Sequence, residues 1–182
     1  MRETIHILAL VGGISRESVN RTLFGFLVEE APPGFKLESF PIETLPFFSQ
    51  DLEEKLPEPV HRLKTAIARA DGILFITPEY NRSYPGVLKN AIDWGCRPWM
   101  QNSWEGKPAA TMGASIGAIG TFGAQAHLRA VLAYLDMPVM NQPEFYFNIT
   151  RGLDENGGVT STARELVRDF LATFDGFVRE HK

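Results

Sequence analysis

Residues 72–94 read GILFITPEYNRSYPGVLKNAIDW, and this stretch decides most of what the sequence predicts. Its first residues form an apolar run that is typical of a buried strand. The loop that follows is stiffened by Pro78 and carries one aromatic ring, Tyr80. Pro85 suits the first position of a helix, which we expect to end near Trp94. Ligands of open α/β sheets bind at the carboxyl ends of strands, so the loop at 77–84 is a candidate for ligand contact.

Strands and helices alternate on both sides of this stretch. Apolar runs predict strands at 5–11, 35–40, 72–77, 109–114 and 137–140. Helix-spaced apolar residues lie at Leu23, Phe26 and Leu27, at Val60, Leu63 and Ile67, and at Leu128, Val131, Leu132 and Leu135. Thr162 and Glu165 predict a capping box for the last helix, whose apolar face is Leu166, Phe170, Phe174, Phe177 and Val178.

This alternation predicts an α/β fold, a three-layer sandwich in which helices cover both faces of a five-stranded parallel sheet. Chains of this size commonly use the strand order 2-1-3-4-5, with a ligand crevice beside strands one and three. We expect residues 1–182 to form a single domain. The loops that leave strands one, three and four are then the places to look for function.

The composition argues against several function classes. Of 182 residues, 44% are hydrophobic, which is enough for a sizeable core. The net charge of −4 and the lack of a basic patch argue against nucleic-acid binding. Residues 1–4 lead directly into an apolar strand that is too short for the apolar region of a signal peptide, and no apolar run approaches the roughly 20 residues of a membrane span, so we expect a cytoplasmic protein with no membrane partner. The single Cys96 fits a reducing compartment, and no cluster has metal-ligand spacing, so no metal is expected.

The loop after the first strand, residues 12–20, reads GGISRESVN. It precedes a helix, so free N–H groups and the helix dipole favour a phosphate there. The hydroxyls of Ser15 and Ser18 and the amide of Asn20 are candidate donors. The pattern is neither a dinucleotide fingerprint nor a P-loop, and ordinary turns and helix caps use the same residue types.

Two further loops are candidates for contact with a flat ring. Residues 113–120, GASIGAIG, carry glycines spaced by three, which permit close packing against a ring edge but also occur in plain strand-to-helix turns. Residues 97–107 carry Arg97, Trp99 and Trp104, which either roof a bound ligand or belong to a packed or intersubunit loop. An arginine here would steer anionic substrates or a nicotinamide cofactor.

The loop at 77–84 and the helix after it closely resemble the isoalloxazine-binding segment of the NADPH-dependent FMN reductase family. That family includes soluble quinone and chromate reductases with a flavodoxin-like fold. The match continues through Ser83, Pro85, Gly86, Leu88, Lys89, Asn90, Ala91, Ile92, Asp93 and Trp94.

The loop at 12–20 is similar to the phosphate loop of the same family, Gly-Ser-x-Arg-x-x-Ser-x-Asn. Gly12, Ser18 and Asn20 match this pattern. Gly13 replaces the serine and Ser15 replaces the arginine, so two side-chain donors to phosphate are missing. Arg16 is a candidate to restore the positive charge.

The resemblance implies a set of FMN-binding residues: Gly12, Gly13, Ile14, Ser15, Arg16, Ser18, Asn20, Pro78, Glu79, Tyr80, Asn81, Ser115, Gly117 and Gly120. Without the resemblance, Tyr80 is equally well explained as an ordinary surface aromatic residue, and Glu79 as a solvated carboxylate. The flavin carries the chemistry, so no catalytic side chain is implied, and Arg97 is a possible substrate contact.

The function implied is an FMN-dependent NAD(P)H oxidoreductase, with NADPH or NADH as donor and ping-pong hydride transfer. Its acceptors would be small molecules: quinones, free flavins, azo compounds, chromate or ferric complexes. A homodimer or homotetramer is implied too, in agreement with loop residues Phe47, Phe48, Trp99 and Trp104. The alternative is a flavodoxin-type electron carrier, which the mild charge and the tryptophan-rich loop disfavour. A flavin-dependent regulator is a third possibility, and no basic patch supports it.

Overall fold

The computed structural model of the chain describes residues 3–155 and 158–182, and a five-stranded parallel sheet forms its centre. The strands are β1 (Ile5–Val11), β2 (Phe35–Ser39), β3 (Gly72–Ile76), β4 (Ala109–Ser115) and β5 (Tyr146–Asn148). The helices are α1 (Val19–Glu29), α2 (Glu58–Arg69), α3 (Gly86–Gly95), α4 (Phe122–Tyr134), α5 (Ile149–Gly152) and α6 (Ser161–His181), with short 3-10 turns at Ile42–Thr44 and Gln50–Leu52. The strand order β2-β1-β3-β4-β5 confirms the predicted sheet.

Helices cover both faces of the sheet because its central strands are apolar on both faces. In β1, Ile7 and Ala9 belong to the apolar cluster that contains residues of α1 and α6. Leu8 and Leu10 point the other way, into the cluster formed with α2, α3 and α4. This alternation follows from the two-residue period of a strand, and it gives the predicted three layers.

The register of the central strands places three strand ends side by side. Val11 pairs with Ile76, and Ile76 pairs with Met112, so β1, β3 and β4 run level towards the same edge. The chain leaves this edge through residues 12–18, 77–85 and 116–121. The three loops selected from the sequence are therefore neighbours in space.

The predicted fifth strand at 137–140 is wrong in its residues. Only a single parallel bridge forms there, between Ala109 and Val139, in which Ala109 N–H donates to the Pro138 carbonyl at 2.8 Å. The strand itself is Tyr146–Asn148, which pairs with the far end of β4. Proline has no N–H to give to a ladder, so Pro143, which lies between the two pieces, cannot continue the pairing from one to the other.

The predicted cap of the last helix is also wrong. The N-cap is Thr160, whose Oγ1 accepts from Ala163 N–H at 3.3 Å, so α6 begins at Ser161. Residues 160–162 all carry hydroxyl groups, so each could cap the helix. Which of them is the N-cap depends on which face of the helix packs against the core. Val167 and Leu171 are fully buried on α6, whereas Leu166 is 53% exposed. No helix in the described part of the chain is long and apolar enough to cross a membrane.

Candidate functional site

The three loops at the carboxyl edge of the sheet pack against one another with no room for added atoms. A Cβ on Gly12 would lie 2.9 Å from the ring of Pro85 and 3.2 Å from that of Pro78. A Cβ on Gly113 would lie 2.1 Å from the Thr77 carbonyl oxygen. Glycine at these positions is what allows the first and third loops to approach the second, so the three loops form one surface.

The loop after β1 presents backbone donors at the start of α1. In the part of the chain that the structure describes, the N–H groups of residues 13–17 have no backbone acceptor. Ser18 is the N-cap of α1 but makes no side-chain cap bond, which leaves its hydroxyl available. Arg21 supports the loop from behind, because its Nε donates to the Gly13 carbonyl at 3.2 Å while Nη2 pairs with Glu43 at 2.9 Å. Unpaired N–H groups at a helix start are an anion-binding arrangement.

The Ser18 hydroxyl occupies the space beside Gly13 that a side chain at position 13 would need. A Cβ on Gly13 would lie 2.0 Å from the Ser18 hydroxyl oxygen, which real atoms do not tolerate. The serine side chain that the resembled phosphate loop carries at position 13 therefore has no space while Ser18 keeps this orientation. Ser15 and Arg16, the other altered or compensating positions, are exposed.

Asn20 points into the protein. Its side chain is 1% exposed, its Nδ2 donates to the Ala114 carbonyl at 3.0 Å, and its Oδ1 accepts from Ala114 N–H at 2.8 Å. These two bonds clamp α1 to β4. The structure thus gives Asn20 a supporting role under the loop, and its contact with a phosphate stays a prediction.

The loop after β3 contains a tight hairpin. Tyr80 N–H donates to the Ser83 carbonyl at 2.9 Å, and Ser83 N–H donates back to the Tyr80 carbonyl at 3.0 Å. The two residues between them, Asn81 and Arg82, have φ angles of 50° and 66°, the left-handed backbone of a type I′ turn. The hairpin is consequently a stiff element, and it holds the Tyr80 ring out at 55% exposure.

The Glu79 carboxylate faces α4 and is not solvated, since its side chain is only 10% exposed. Its Oε2 accepts from Ala124 N–H, in the first turn of α4, at 3.1 Å. Its Oε1 lies 3.3 Å from Arg82 Nη1. A carboxylate on the second loop therefore satisfies a helix-start donor of the element that follows the third loop.

The third loop is held by its own hydroxyl and by β5. Gly117 N–H donates to Ser115 Oγ at 3.1 Å, and Asn148 Nδ2 donates to the Gly117 carbonyl at 3.1 Å. Gly120 has a φ of +67°, and a Cβ there would lie 2.8 Å from Tyr146. Burial and the neighbouring Glu144 raise the pKa of Tyr146 to about 12, so this phenol stays neutral.

Large apolar side chains surround these loops at the sheet edge. Ile14 on the first loop, Tyr80 on the second, and Ile116, Ile119 and Phe122 on or after the third are all exposed by more than two fifths. Exposed apolar groups gathered at one edge, beside an anion-binding loop, suit a ligand that has a flat ring and a single phosphate.

Comparison with known proteins agrees with this arrangement. A model of the NADPH-dependent FMN reductase family matches residues 5–151. A 2-hydroxy-1,4-benzoquinone reductase from a Burkholderia species is 46% identical over 180 residues, 98% of either chain. A quinone reductase from Pseudomonas putida is 41% identical over 181 residues, 98% of this chain and 97% of that one. The solved structure of FerB, a flavoenzyme NAD(P)H:(acceptor) oxidoreductase from Paracoccus denitrificans, matches with a TM-score of 0.92 and 38% identity over 98% of this chain and 99% of that one.

The chain belongs to the NADPH-dependent FMN reductase family. It is therefore an oxidoreductase of a family that uses FMN with NAD(P)H. The residues present fit that cofactor. The loop after β1 offers N–H groups without backbone acceptors for one phosphate, and exposed apolar side chains on the two neighbouring loops suit contact with a ring.

Arg97 lies away from this reductase's sheet edge. Its guanidinium is stacked between Phe48 and Trp99, with centroid distances of 5.3 Å and 5.6 Å, and it pairs with Glu53 at 3.4 Å. It follows the 10-residue helix α3, whose other end adjoins the site. At about 1.5 Å per residue that helix separates Arg97 from the edge by about 15 Å. A substrate contact by Arg97 within the same subunit is thus not supported.

The sequence left two roles open for Trp104, a roof over the ligand or a packed or intersubunit loop, and the structure shows it packed within the fold. It is fully buried, its Nε1 donates to the Ile92 carbonyl at 2.8 Å, and its ring fills the space beside Gly95. Trp99, by contrast, is 70% exposed. The sequence around the two tryptophans does not show which one is buried, because both lie in the same loop of mixed polar and apolar residues.

Sequence reasoning missed the supporting residues of the site. Arg21, the Glu79 carboxylate and Asn148 each hold a loop through a bond to a distant backbone group. Glu79 was among the predicted site residues, but no local pattern indicates that its carboxylate accepts a hydrogen bond from a helix that begins 43 residues later. The position of Arg21 beside Asn20 carries no signal of its contact with Gly13.

Proposed function

We propose that this protein is an FMN-dependent NAD(P)H:quinone oxidoreductase, built as a single FMN-binding domain. The observation that carries the proposal is the loop at residues 13–17, whose described N–H groups have no backbone acceptor and lie beside an exposed apolar edge. The relatives named as benzoquinone and quinone reductases cover nearly the whole chain, which supports quinones as the acceptor class.

In this proposal, the residues of the protein bind the cofactor and orient it. The loop at 13–18 and the free Ser18 hydroxyl hold the phosphate, assisted by Arg16, whose charge is exposed beside them. The hairpin Tyr80–Ser83 and the glycine loop ending at Gly120 shape the two sides of the ring site. Bound FMN supplies the redox chemistry, a two-electron relay from NAD(P)H to the acceptor. No acid, base or nucleophile of the protein is needed, so positioning is the protein's contribution to rate.

Donor and acceptor use the same open face of the site in turn, since the loops occupy the other side. This predicts ping-pong kinetics. The same open face admits oxidants of several shapes, so azo compounds, free flavins and metal complexes such as chromate or ferric chelates are secondary acceptors in the proposal.

The test is to purify the protein, identify any flavin released on denaturation, and follow NADPH and NADH oxidation with 1,4-benzoquinone. We expect FMN, steady turnover, and parallel double-reciprocal plots at several quinone concentrations. Flavin binding without quinone-dependent turnover would favour the flavodoxin-type electron carrier. Failure to bind FMN would contradict the proposal as a whole.

Self-association as a homodimer or homotetramer, in the cytoplasm, completes the proposal. Phe47, Trp99, Met100 and Tyr134 are each at least 70% exposed. Trp99, Met100 and Tyr134 line a cavity of about 460 Å³ next to Cys96, whose thiol pKa is raised by burial. A soluble monomer rarely exposes so many large apolar groups together. Contact between Arg97 or Trp99 and a flavin would require the flavin site of a second copy.

A further inference from the structure

We propose that the Glu79 side chain is a positioning residue for the ring end of the flavin site, acting as a latch between the second loop and α4. This inference rests on the proposed FMN site. It assigns to the carboxylate a task separate from any contact that the backbone of the same loop makes with a ligand.

The start of α4 has no side-chain cap of its own. The N-cap of α4, Thr121, makes no side-chain cap bond, and its Oγ1 accepts from Gln125 Nε2 at 2.9 Å instead. The first turn of α4 holds no acidic residue. Glu79 Oε2 takes the Ala124 N–H at 3.1 Å and so provides the missing acceptor from 45 residues away.

The contact between hairpin and helix is close as well as polar. A Cβ on Gly123 would lie 3.0 Å from the Arg82 carbonyl oxygen and 3.2 Å from Glu79 Oε2. One turn further along α4, His127 Nδ1 lies 3.2 Å from Ser83 Oγ. The second loop therefore contacts α4 at three points, through Glu79, the Arg82 carbonyl and Ser83.

This arrangement couples two loops that would hold one ring. The hairpin follows β3, whereas α4 is the continuation of the glycine loop after β4. The bond from Glu79 to Ala124 holds the second loop against α4, and among the described residues the other side-chain hydrogen bond between them joins Ser83 and His127. If the latch opens, the ring end of the site loses one of these two contacts, while the bonds of Arg21 and Asn20 that hold the phosphate loop do not involve Glu79.

The distinguishing measurement is the affinity for two flavins. Riboflavin lacks the phosphate, so it reports the ring end alone, whereas FMN reports both ends. We expect Glu79→Ala to weaken apo-protein binding of FMN and riboflavin by the same factor, about tenfold, as is typical for the loss of a hydrogen bond to a charged group. Binding is measured by quenching of flavin fluorescence.

Two variants separate positioning from general damage. Glu79→Gln keeps an acceptor oxygen and gives up an ion pair with an Arg82 side chain that is 76% exposed, so we expect affinity within about threefold of wild type. Gly123→Ala keeps the carboxylate but crowds the hairpin, and it places a better helix former in α4. We expect it to weaken both flavins equally without lowering the thermal stability of the apo-protein.

Glu30→Gln is the matched control, because Glu30 is another little-exposed carboxylate paired with arginines, at the far end of α1. It should leave both affinities unchanged. Unchanged riboflavin affinity in Glu79→Ala and Gly123→Ala would overturn the latch, and so would an equal loss in Glu79→Gln and Glu79→Ala. A wild-type protein that binds neither flavin would instead contradict the proposed function.

Discussion

Gly13 and Ser18 show how one substitution in a loop constrains another. The Ser18 hydroxyl occupies the space that a side chain at position 13 would need, and Ser18 is 7% exposed with no cap bond. We therefore expect the backbone N–H groups of the loop to supply most of the phosphate binding, with Ser18 as the buried hydroxyl donor.

We expect Gly13→Ser to weaken FMN binding, since the new side chain must displace Ser18 or shift the loop. Adding Ser18→Ala to Gly13→Ser should restore part of the affinity, because the clash at 2.0 Å disappears and one hydroxyl remains. Ser18→Ala alone should cost about tenfold, the value of a charge-assisted hydrogen bond. Fluorescence titration of wild type, the two single variants and the double variant gives the coupling free energy between positions 13 and 18. Strictly additive effects on FMN affinity would contradict the predicted clash.

Arg16 is exposed and makes no contact with another described side chain, which leaves its charge free for a phosphate. We expect Arg16→Ala to weaken FMN binding several-fold and to leave riboflavin binding unchanged, the opposite pattern to a defect at the ring end. Arg62→Ala, at an exposed arginine on α2, is the control for net charge. Equal affinity for FMN in Arg16→Ala and wild type would leave the backbone as the main phosphate ligand.

At the scale of elements, two contacts fix α1 against the rest of the fold. The buried Asn20 amide clamps its start to β4 through Ala114. Glu30, just beyond its end, pairs with Arg164 and Arg168 of α6. The start of α1 carries the phosphate loop, so the first contact supports the site and the second supports the fold.

Asn20→Ala should lower the free energy of unfolding by about 1–3 kcal/mol, because it leaves the buried N–H and carbonyl of Ala114 without partners. Urea unfolding of the apo-proteins measures the change. The control is Gln142→Ala, at an exposed polar side chain, which we expect to stay within about 0.5 kcal/mol of wild type. A similar small value for Asn20→Ala would mean that the clamp contributes nothing.

The stability that Glu30 provides should depend on pH. The hydrogen bond from Arg168, followed by that from Arg164, holds the pKa of Glu30 below its ordinary value. A lowered folded-state pKa stabilises the protein above the unfolded-state pKa of about 4.3, and this gain is lost as the pH falls through the folded-state value.

Glu30→Gln should therefore unfold at lower urea than wild type at pH 7, with a difference that shrinks as the pH falls below about 4. Glu58→Gln, which breaks an exposed ion pair on α2, should show little difference at either pH. A Glu30→Gln difference that does not change with pH would show that packing, and not charge, is responsible.

At the scale of the whole molecule, a second group of exposed apolar side chains lies away from the sheet edge, around Arg97. Arg97 stacks on both Phe48 and Trp99, which brings the loop at 46–53 next to the loop at 97–101. Phe47 at 87% exposure and Met100 at 86% exposure extend from these two loops. A surface of this kind is suited to a second copy of the chain.

We expect Phe47→Glu to shift the protein towards monomer in sedimentation velocity at micromolar concentration. Leu166→Glu places the same charge at an exposed apolar residue of α6 and should not change the assembly. A wild-type protein that sediments as a monomer with full activity would contradict self-association through this surface.

The sequence by itself determined the first four strands, the helices between them and the loops of the site. Apolar runs such as 72–76 and helix-spaced stripes such as Val60, Leu63 and Ile67 are local patterns, and glycine or proline marks their ends. The order of the strands followed from the general behaviour of parallel sheets. The edge that carries the candidate site could therefore be predicted before any contact was known.

Only the tertiary structure decided which way individual side chains face. Asn20 bonds to Ala114 across 94 residues, and Glu79 bonds to Ala124 across 45 residues. Trp104 is buried and Trp99 is exposed although they share a loop, and the fifth strand formed at Tyr146–Asn148 and not at 137–140. Local patterns fix the backbone states of neighbouring residues, whereas a polar side chain takes the partner that folding brings beside it, and that partner is set by packing between distant elements.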